Sequence, residues 1–325
     1  MDMKQITNRI DFFDIEKFNE TPGPFCMSFG FDIQKIICSI EKVGLINIPY
    51  IKINENGYFD IVTGYRRIMA LKTLKWESVP CIELTNSGLS DSDLLIFNLS
   101  DNLCTRRFNN IEKGMIINNL LLFFSIDEIY MHYMELLNIT SSREIDILLK
   151  INRLSNTEKN IILTEAIPNK TIEYLLDLKE SSRRMVLKWI SDLKLNINQQ
   201  IIFIEYINDI SIKEEKDIPE LLNEEIYLEL IMEKKQSIPQ KAKKFIDFLK
   251  ARRLPILTKN EKAFHRQIAK LSLPKNVKIK HPPYFEGPDY LLEINFTDGM
   301  NLKKTISALE QIKGLATISD PWKEK

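Results

Sequence analysis

Cysteine and histidine are scarce in this chain of 325 residues, which has four cysteines and three histidines. The cysteines lie far apart and form no CxxC pair, and the histidines do not cluster; the four are Cys26, Cys38, Cys81 and Cys104. This spacing argues against a zinc site and a disulfide framework, and it favours reduced, buried thiols in a cytoplasmic protein.

Long apolar runs are also missing, because no segment approaches the roughly 20 apolar residues that span a bilayer. Residues 1–14, MDMKQITNRIDFFD, alternate charged and apolar side chains and lack the apolar centre of a signal peptide. We therefore expect an intracellular protein that has no contact with a membrane.

The chain has no excess of charge of either sign, since 45 basic residues balance 45 acidic ones. A protein that binds nucleic acid neutralises phosphates with lysine and arginine, so any contact with DNA must come from local basic patches. The hydrophobic fraction of 44% and the charged fraction of 28% are ordinary for a globular protein, and the length predicts two or three domains.

Residues 58–75, YFDIVTGYRRIMALKTLK, change their hydrophobic period in the middle. The β-branched and aromatic residues at the start are typical of a strand, whereas Ile68, Leu71 and Leu74 have helical spacing. A strand is thus predicted to pass into a helix at Gly64.

The first turn of this predicted helix carries Arg66 and Arg67. Backbone N–H groups are unpaired there and the helix dipole is positive, so an anion is favoured by the backbone as well as by the side chains. The pattern predicts a phosphate site. The alternative is that Gly64 only permits a tight turn and that both arginines are solvated.

Three segments, 39–51, 58–84 and 99–114, resemble in order and spacing the N-terminal domain of the ParB partition proteins, a branch of the ParB/sulfiredoxin superfamily. Their sequences are SIEKVGLINIPYI, YFDIVTGYRRIMALKTLKWESVPCIEL and LSDNLCTRRFNNIEKG. The resemblance covers roughly residues 25–115. It implies a domain that binds CTP with Mg²⁺, and a dimer whose clamping on DNA depends on the nucleotide.

The chain departs from the family pattern in both nucleotide motifs. The first is usually Gly-Glu-Arg-Arg, and here Tyr65 stands in place of the glutamate. The second is usually Glu-Asn-x-x-Arg, and here Asp101 and Asn102 match its start while Thr105 occupies the arginine position and Arg106 follows. The phosphate contact is therefore shifted by one residue, and hydrolysis is in doubt.

The resemblance implies the residues of the site. The nucleotide would contact Gly64, Tyr65, Arg66, Arg67, Asn102, Thr105, Arg106 and Arg107, and magnesium would be held by Asp101 and Asn102, since hard cations take carboxylate and amide oxygens.

The expected enzymatic activity is limited. Any CTP hydrolysis would be slow and regulatory, because no residue is an obvious base for activating water. Sulfiredoxin activity is not expected, since that branch needs a cysteine in the turn where this chain has Tyr65 and Arg66. A nuclease ranks last, because no carboxylate cluster would hold two metals.

The N-terminal part is predicted to be an arm over residues 1–24 followed by an α+β domain over 25–109. FCMSFGF, residues 25–31, is predicted as its first strand, and an apolar stripe over 33–43 that ends before Gly44 predicts a helix. Strands are expected around 50–54, 58–63 and 79–84, with a hairpin at Asn56-Gly57. Ser90 with Asp93 is expected to start the helix that leads to Asp101.

Residues 110–210 have almost no strand-like alternation, with one glycine, Gly114, and one proline, Pro168, up to position 209. Amphipathic stripes and a capping box at Ser155 and Glu158 predict an all-helical domain. Residues 126–155 have the outline of a helix-turn-helix whose second helix would present Ser141, Ser142 and Arg143 to DNA. A plain helical bundle has the same outline, and the acidic residues near this helix oppose DNA.

The C-terminal part is predicted to follow a linker or helix over 211–235. A basic helix beginning at Pro239 opens the last segment, 236–325, in which the DNA-binding candidates are Lys241, Lys244, Arg252 and Arg253. A solvated charged face is the alternative. A capping box is expected at Thr258 and Glu261, and two strands, a helix and a last strand at LATIS, residues 315–319, predict a small α+β unit suited to homodimer formation.

The sequence thus predicts an α+β ParB/sulfiredoxin-like domain, a helical domain and a small α+β unit. The predicted function is nucleotide-dependent DNA binding in partition or transcription regulation, on the nucleoid, with a partition ATPase as a further partner. The alternative is a regulator or interaction scaffold that kept the fold and lost nucleotide binding, which Tyr65 and Thr105 favour.

Overall fold

The computed structural model describes residues 9–18, 22–233, 235–287 and 289–318. The chain forms two compact units, Met1–Arg183 and Arg184–Lys325. Within the described residues no helix is both long and apolar enough to cross a membrane.

The first unit contains a four-stranded mixed sheet in the order β1-β4-β2-β3. Its strands are β1 (Ile10–Asp14), β2 (Tyr50–Ile53), β3 (Phe59–Thr63) and β4 (Ser78–Glu83). The pairs β1–β4 and β2–β3 are antiparallel, and β2–β4 is parallel. The hairpin predicted at Asn56-Gly57 is confirmed, because it joins β2 to β3.

Two helices, α1 (Gln34–Val43) and α2 (Tyr65–Thr73), share a hydrophobic core with the sheet. The apolar stripe of α1 buries Ile37 and Ile40 there, and Gly44 ends the helix at φ 75°, as its sequence predicts. Ile68 and Leu71 of α2 are fully buried in the same core. This packing fixes the start of α2, where the predicted phosphate site lies.

The remainder of the first unit is helical. It contains α3 (Asp91–Thr105), α4 (Asn110–Leu120), α5 (Ile126–His132), α6 (Ser142–Asn152), α7 (Asn156–Thr164) and α8 (Asn169–Asp177). The capping boxes predicted at Ser90 with Asp93 and at Ser155 with Glu158 are both confirmed. Similar boxes start α4 at Asn109 and α5 at Ser125, so local sequence sets most of these helix starts.

Helix α9 (Glu180–Leu193) includes the boundary between the units. The second unit continues with α10 (Ile197–Glu214), α11 (Ile218–Leu222), α12 (Glu225–Met232), α13 (Ile238–Arg253), α14 (Pro255–Lys270), the antiparallel pair β5 (Val277–Lys280) and β6 (Leu291–Ile294), and α15 (Gly299–Glu310). Aromatic rings hold its helices together, with Phe245 in contact with Trp189, Phe203 and Tyr227. The predicted order of an α+β domain, a helical part and a small C-terminal α+β unit is confirmed.

The N-terminal residues differ from the prediction. Ile10–Asp14 lies in the region predicted as an arm, yet it forms strand β1, and Phe13 packs edge-on against Phe59 with ring centroids 5.2 Å apart. Residues 1–8 and 19–21 of that arm lie outside the described residues.

The strand predicted at 25–31 does not form. The backbone carbonyls of this segment accept hydrogen bonds from side chains instead: Asn98 donates to Phe25, Asn119 to Cys26, Arg106 to Met27 and Asn109 to Phe29. Because side chains satisfy these backbone groups, the segment needs no strand partner.

Two C-terminal predictions are also wrong. Helix α14 begins at Pro255 instead of at a Thr258–Glu261 box, because proline favours the first turn, and Glu261 pairs with Lys250. The segment 211–235, predicted as a linker or helix, contains the end of α10 together with α11 and α12. Leu315–Thr317 is a short 3₁₀ turn and not a strand, and Ser319 lies outside the described residues.

Candidate functional site

The strand-to-helix turn at Gly64 has the geometry that only glycine readily adopts. Gly64 lies at φ 87° and ψ 18°, immediately before the first residue of α2. A Cβ atom there would come within 3.0 Å of Pro49 Cβ and 3.3 Å of Arg67 Nη1. The predicted role of Gly64, a tight turn that brings backbone and ligand close, fits this conformation.

A cavity of about 270 Å³ lies in front of this turn. It is lined by residues of both predicted nucleotide motifs, namely Gly64, Tyr65, Arg66, Arg67, Asp101, Asn102, Thr105 and Arg106. The segment before α1 supplies Cys26, Met27 and Ser28, and α3 adds Asn98. The structure therefore brings together two motifs that are about 35 residues apart in the chain. Arg107 is exposed and does not line the cavity.

Arg67 is the cavity arginine that the protein leaves available. Its side chain lies beside Gly64 at the start of α2, and within the described part of the chain it has no hydrogen bond or ion pair. A guanidinium has five N–H donors, which can grip two oxygens of a phosphate at once. Arg67 can therefore bind an anion without giving up an existing contact.

Arg66 is partly engaged. Its Nη2 donates to Glu112 Oε1 at 2.8 Å, its Nε donates to Ser28 Oγ at 3.3 Å, and its guanidinium lies 4.9 Å from the centre of the Phe31 ring. Burial, together with the nearby charge of Arg106, lowers the pKa of Arg66 from its usual value. Its Nη1 has no partner among the described residues, so Arg66 keeps donors for a ligand.

Arg106 is the most constrained of the three arginines. Its Nη1 donates to Glu112 Oε1 at 2.6 Å, its Nε to Asn102 Oδ1 at 2.6 Å, and its Nη2 to Met27 O at 2.7 Å. The guanidinium also stacks 4.5 Å from the centre of the Phe108 ring. Arg106 thus ties the end of α3 and the start of α4 to the segment that forms the cavity wall.

The remaining predicted site residues differ in whether their polar atoms already have hydrogen-bond partners in the protein. Asp101 is exposed at the edge of the cavity, whereas the Asn102 amide oxygen is already bound by Arg106 and its nitrogen donates to Asn98. Thr105 Oγ1 donates to backbone oxygens of its own helix, those of Asp101 and Asn102. Within the described residues, no group of three or more His, Cys, Asp or Glu side chains could hold a metal ion.

Sequence reasoning missed Glu112, Ser28 and Asn98. Glu112 is 1% exposed and accepts hydrogen bonds from Arg66 and Arg106. The pattern Asn109-x-x-Glu112 is typical of a capping box, so the sequence could have predicted that Glu112 caps a helix. Nothing in that pattern shows that the glutamate also contacts two arginines that are 6 and 46 residues away. Ser28 and Asn98 carry no such pattern.

The cysteines are free thiols, as predicted, but they are not all buried. Cys26 and Cys81 are buried, whereas Cys38 and Cys104 are exposed on helices. Burial raises the pKa of Cys26 to about 11 and that of Cys81 to about 12, so both are protonated near neutral pH.

The predicted helix-turn-helix segment contains α5, a turn and α6. Ser141 caps α6 through a hydrogen bond from Glu144 N, which confirms the predicted helix start. Arg143 is largely exposed, and its Nη2 contacts Glu173 Oε2 at 2.6 Å. Helix α6 packs closely on α4. The contact is at Gly114 of α4, where an added Cβ atom would lie only 2.4 Å from the backbone oxygen of Leu148 in α6.

The basic helix α13 uses its arginines inside the second unit. Arg252 contacts the carboxylates of Glu214 and Glu224, both at 2.5 Å, and Arg253 contacts those of Glu205 and Asp209. Both guanidinium groups, which the sequence pattern predicted to bind DNA, are therefore engaged by carboxylates of the protein. Lys241 donates to Ile231 O, and Lys244 is exposed beside the Phe248 ring.

The Arg252 contacts predict a pH-dependent stability. The Arg252 hydrogen bonds lower the pKa of Glu224 from 4.5 to about 2, so Glu224 stabilises the fold above about pH 4.5 and this contribution is lost as the pH falls towards 2. We expect Arg252→Ala to lower the melting temperature at pH 7 and to reduce the loss between pH 5 and pH 2.5. Thermal unfolding followed by circular dichroism measures both.

Lys244→Ala is the control for this prediction, because Lys244 is an exposed cation of the same helix. It should keep the wild-type melting temperature and acid response. A variant Arg252→Ala that melts like Lys244→Ala at both pH values would show that the pair contributes nothing.

The fold and the cavity define a class: an α+β domain with an arginine-lined cavity, joined to a helical part. No protein-family model matches the chain. A nucleoid occlusion protein of Bacillus cereus (strain ATCC 10987 / NRS 248) is 26% identical over 200 residues, which is 57% of this chain and 63% of the relative. That of Geobacillus thermodenitrificans (strain NG80-2) is 25% identical over 182 residues, covering 55% and 63%. The chain thus spans less than two thirds of these relatives.

Solved structures of ParB proteins are also similar. The C-terminally truncated Caulobacter crescentus ParB complexed with CTP-gamma-S is 16% identical with a TM-score of 0.27, over 56% of this chain and 99% of that one. A Pnob8-like ParB-N domain is 14% identical with a TM-score of 0.30, over 76% and 99%. These scores are too low for comparing individual positions. The motifs of the chain and these curated relatives together support a ParB-like protein.

Proposed function

We propose that this chain is a ParB-like DNA-binding protein whose first unit binds a nucleoside triphosphate, CTP in the first instance. Nucleotide occupancy would control how the protein holds DNA. The observation that carries the proposal is the cavity at Gly64, where Arg66 and Arg67 lie at a helix start and Arg67 has no protein partner among the described residues. A cation held at such a position favours a phosphate.

The three arginines would divide the work. Arg67, with Arg66, would bind the outer phosphates, because both keep unused N–H groups. Arg106 would hold the cavity in shape while no nucleotide is bound, since its donors are then directed at the protein. The ring of Tyr65, which packs edge-on against Phe31 at 5.9 Å, adds aromatic surface next to the arginines. We propose no catalytic base, and hydrolysis would be slow.

Magnesium fits this site through Asp101 only. Mg²⁺ is commonly held by one or two carboxylates together with the phosphates of its nucleotide and water. Asp101 offers an exposed carboxylate at the cavity edge, whereas the amide oxygen of Asn102 is bound by Arg106 and would have to be released. When bound, the ion would neutralise phosphate charge.

Calorimetric titration with nucleotide tests the magnesium role. We expect CTP to bind the wild-type protein about tenfold more tightly in Mg²⁺ than in chelator, and Asp101→Ala to abolish that difference, because the only free carboxylate of the predicted pair is removed. Asp91→Ala, on the same helix but outside the cavity, should keep the wild-type response. An Asp101→Ala variant with full magnesium dependence would place the ion elsewhere.

DNA binding is proposed for α6, the second helix of the helix-turn-helix outline. Its start carries Ser141, Ser142 and Arg143, which lie at the surface, as phosphate and base contacts require. The Arg143 contact with Glu173 is largely exposed, and exposed ion pairs contribute little, so DNA can replace it. The basic helix would contribute only through lysines such as Lys244.

Substitutions at the two ends of α6 test this. Arg143→Ala should weaken binding to a cognate DNA duplex by about 1 to 3 kcal/mol, because a contact to base or phosphate is lost. Arg153→Ala, which removes an exposed arginine just after the other end of α6, should have little effect. Fluorescence anisotropy at several salt concentrations measures both, and equal losses would favour a plain helical bundle.

The alternative function is a regulator or interaction scaffold without nucleotide. One observation favours it: Nε, Nη1 and Nη2 of Arg106 all bind protein atoms, so the shifted arginine already has a structural role. We also propose that the protein forms a homodimer, associates with the nucleoid and has a partition ATPase as a partner. The proposed domain limits are 25–109, 110–210, 211–235 and 236–325. Analytical ultracentrifugation tests the dimer.

A further inference from the structure

Glu112 lies behind the nucleotide cavity and is 1% exposed. It is the third residue of α4 and forms a capping box with Asn109, whose backbone N donates to Glu112 Oε2 at 3.2 Å. Its other oxygen, Oε1, accepts three hydrogen bonds: from Arg66 Nη2 at 2.8 Å, from Arg106 Nη1 at 2.6 Å and from Phe29 N at 3.1 Å.

Helix capping does not require the two arginines. Glu128 occupies the same position in the box that starts α5, and it is exposed there with Ser125 as its hydrogen-bond donor. A capping glutamate thus fulfils its role at the surface. Burial of Glu112 against two cavity arginines is therefore a separate property of this site.

The negative charge of Glu112 bears directly on phosphate binding by the two arginines that it contacts. Arg66 and Arg106 line the cavity in which phosphates would bind, and Glu112 already supplies them with a carboxylate. Hydrogen bonds between charged groups are about twice as strong as neutral ones, so a phosphate must offer at least as much to take these donors. Arg67, by contrast, has no internal anion among the described residues.

We infer that Glu112 is an internal anion that competes with the phosphates of the bound nucleotide for Arg66 and Arg106. This inference rests on the proposed nucleotide binding and adds a selection rule to it. A triphosphate carries enough charge to displace the carboxylate, whereas a diphosphate or monophosphate engages Arg67 and leaves Glu112 in place. Glu112 thereby makes the site discriminate by phosphate number.

Displacement of Glu112 reaches α4 and α6. The same carboxylate holds the backbone N–H groups of Phe29 and Asn109, so its release loosens the start of α4. Gly114, two residues further on, is the point where α4 lies against the backbone of Leu148 in α6. Replacement of the Glu112 carboxylate by phosphate therefore changes the packing of α4 against α6, the helix that is proposed to bind DNA.

The variant Glu112→Gln tests the inference, because glutamine at this position keeps the capping box and removes the charge. Calorimetry should show that CTP binds Glu112→Gln about tenfold more tightly than wild type, and that the preference for CTP over CDP and CMP falls. Affinity equal to or weaker than wild type would overturn the inference and make Glu112 a residue that orients the arginines.

Glu158→Gln is the matched control. Glu158 is also buried, occupies the same capping-box position in α7, and contacts Arg183 at 2.7 Å, but it does not line the cavity. It should bind all three nucleotides like wild type. Increased CTP affinity in this control as well would assign the effect to general loosening and overturn the inference.

Hydrogen exchange on the wild-type protein gives a second measurement that needs no variant. Saturating CTP should slow exchange at the start of α2 and speed it at Phe29 and Asn109. CMP, which leaves Glu112 in place, should not speed exchange at Phe29 and Asn109. Slower exchange at Phe29 and Asn109 with CTP would show that Glu112 stays in place. If neither wild type nor Glu112→Gln binds any nucleotide, the proposed function itself fails; if wild type binds and Glu112→Gln binds no tighter, only this inference does.

Discussion

Arg67→Ala is expected to weaken triphosphate binding by about 1.5 to 3 kcal/mol, roughly a tenfold to hundredfold loss, which is the scale of a hydrogen bond to a charged group. Arg67 lies beside Gly64 at the start of α2 and has no partner in the described part of the chain, so the protein offers the ligand its full guanidinium. Isothermal titration with CTP in Mg²⁺ measures the loss.

Arg66→Ala should reduce the same affinity, although part of the loss will reflect the partner left behind. Glu112 keeps only Arg106 as a cationic partner in that variant. Arg107→Ala is the control for both, since Arg107 is exposed, lies outside the cavity and is close to the same motif. Wild-type affinity in Arg67→Ala would remove the phosphate role of this turn.

Arg106→Ala is expected to lose folding stability as well as nucleotide binding. The substitution leaves buried Glu112 with one arginine in place of two and removes the donor to Met27 O, and breaking a buried ion pair costs about 3 kcal/mol or more. We expect a melting temperature several degrees lower and CTP affinity reduced at least tenfold, measured by calorimetry at a temperature where the variant is folded.

Thr105→Ala is the contrasting variant, because Thr105 occupies the arginine position of the family motif. Its hydroxyl donates only to backbone oxygens of α3, and the residue is exposed. Both stability and affinity should stay close to wild type. A damaging Thr105→Ala, or an Arg106→Ala that melts and binds like wild type, would contradict the assignment of the shifted arginine.

Local patterns in the sequence were sufficient for the elements around the site. The change of period at Gly64 gave the end of β3 and the start of α2, because both are set by neighbouring residues and by the special backbone of glycine. Ser90 and Ser155 started their helices as predicted for the same reason. The cavity residues then followed from two motifs that the fold brings together.

Contacts between distant residues could not be read in this way. FCMSFGF has the composition of a strand, but its backbone carbonyls accept hydrogen bonds from the side chains of Asn98, Arg106 and Asn119, and no described strand pairs with it. IDFFD carries an aspartate at two of its five positions, and its pairing with β4 makes it a strand.

The chemical roles of charged side chains also could not be predicted from the sequence. Arg252 and Arg253 read as a basic patch in the sequence, whereas their carboxylate partners lie 28 to 48 residues earlier and on other helices. Glu112 looked like a helix cap only, because its contact with Arg66 depends on how α2 and α4 meet. A charge pattern shows which groups exist, and the fold decides which of them remain available.

The central claim is that the Gly64 cavity binds a nucleoside triphosphate through its arginines. The most direct test is calorimetric titration of the full chain with CTP in Mg²⁺, for the wild-type protein and for a variant that carries both Arg66→Ala and Arg67→Ala. The account predicts saturable binding of one CTP per chain by wild type and no measurable binding by the double variant, while both proteins remain folded by circular dichroism. No binding by wild type, or equal binding by the two proteins, would contradict it.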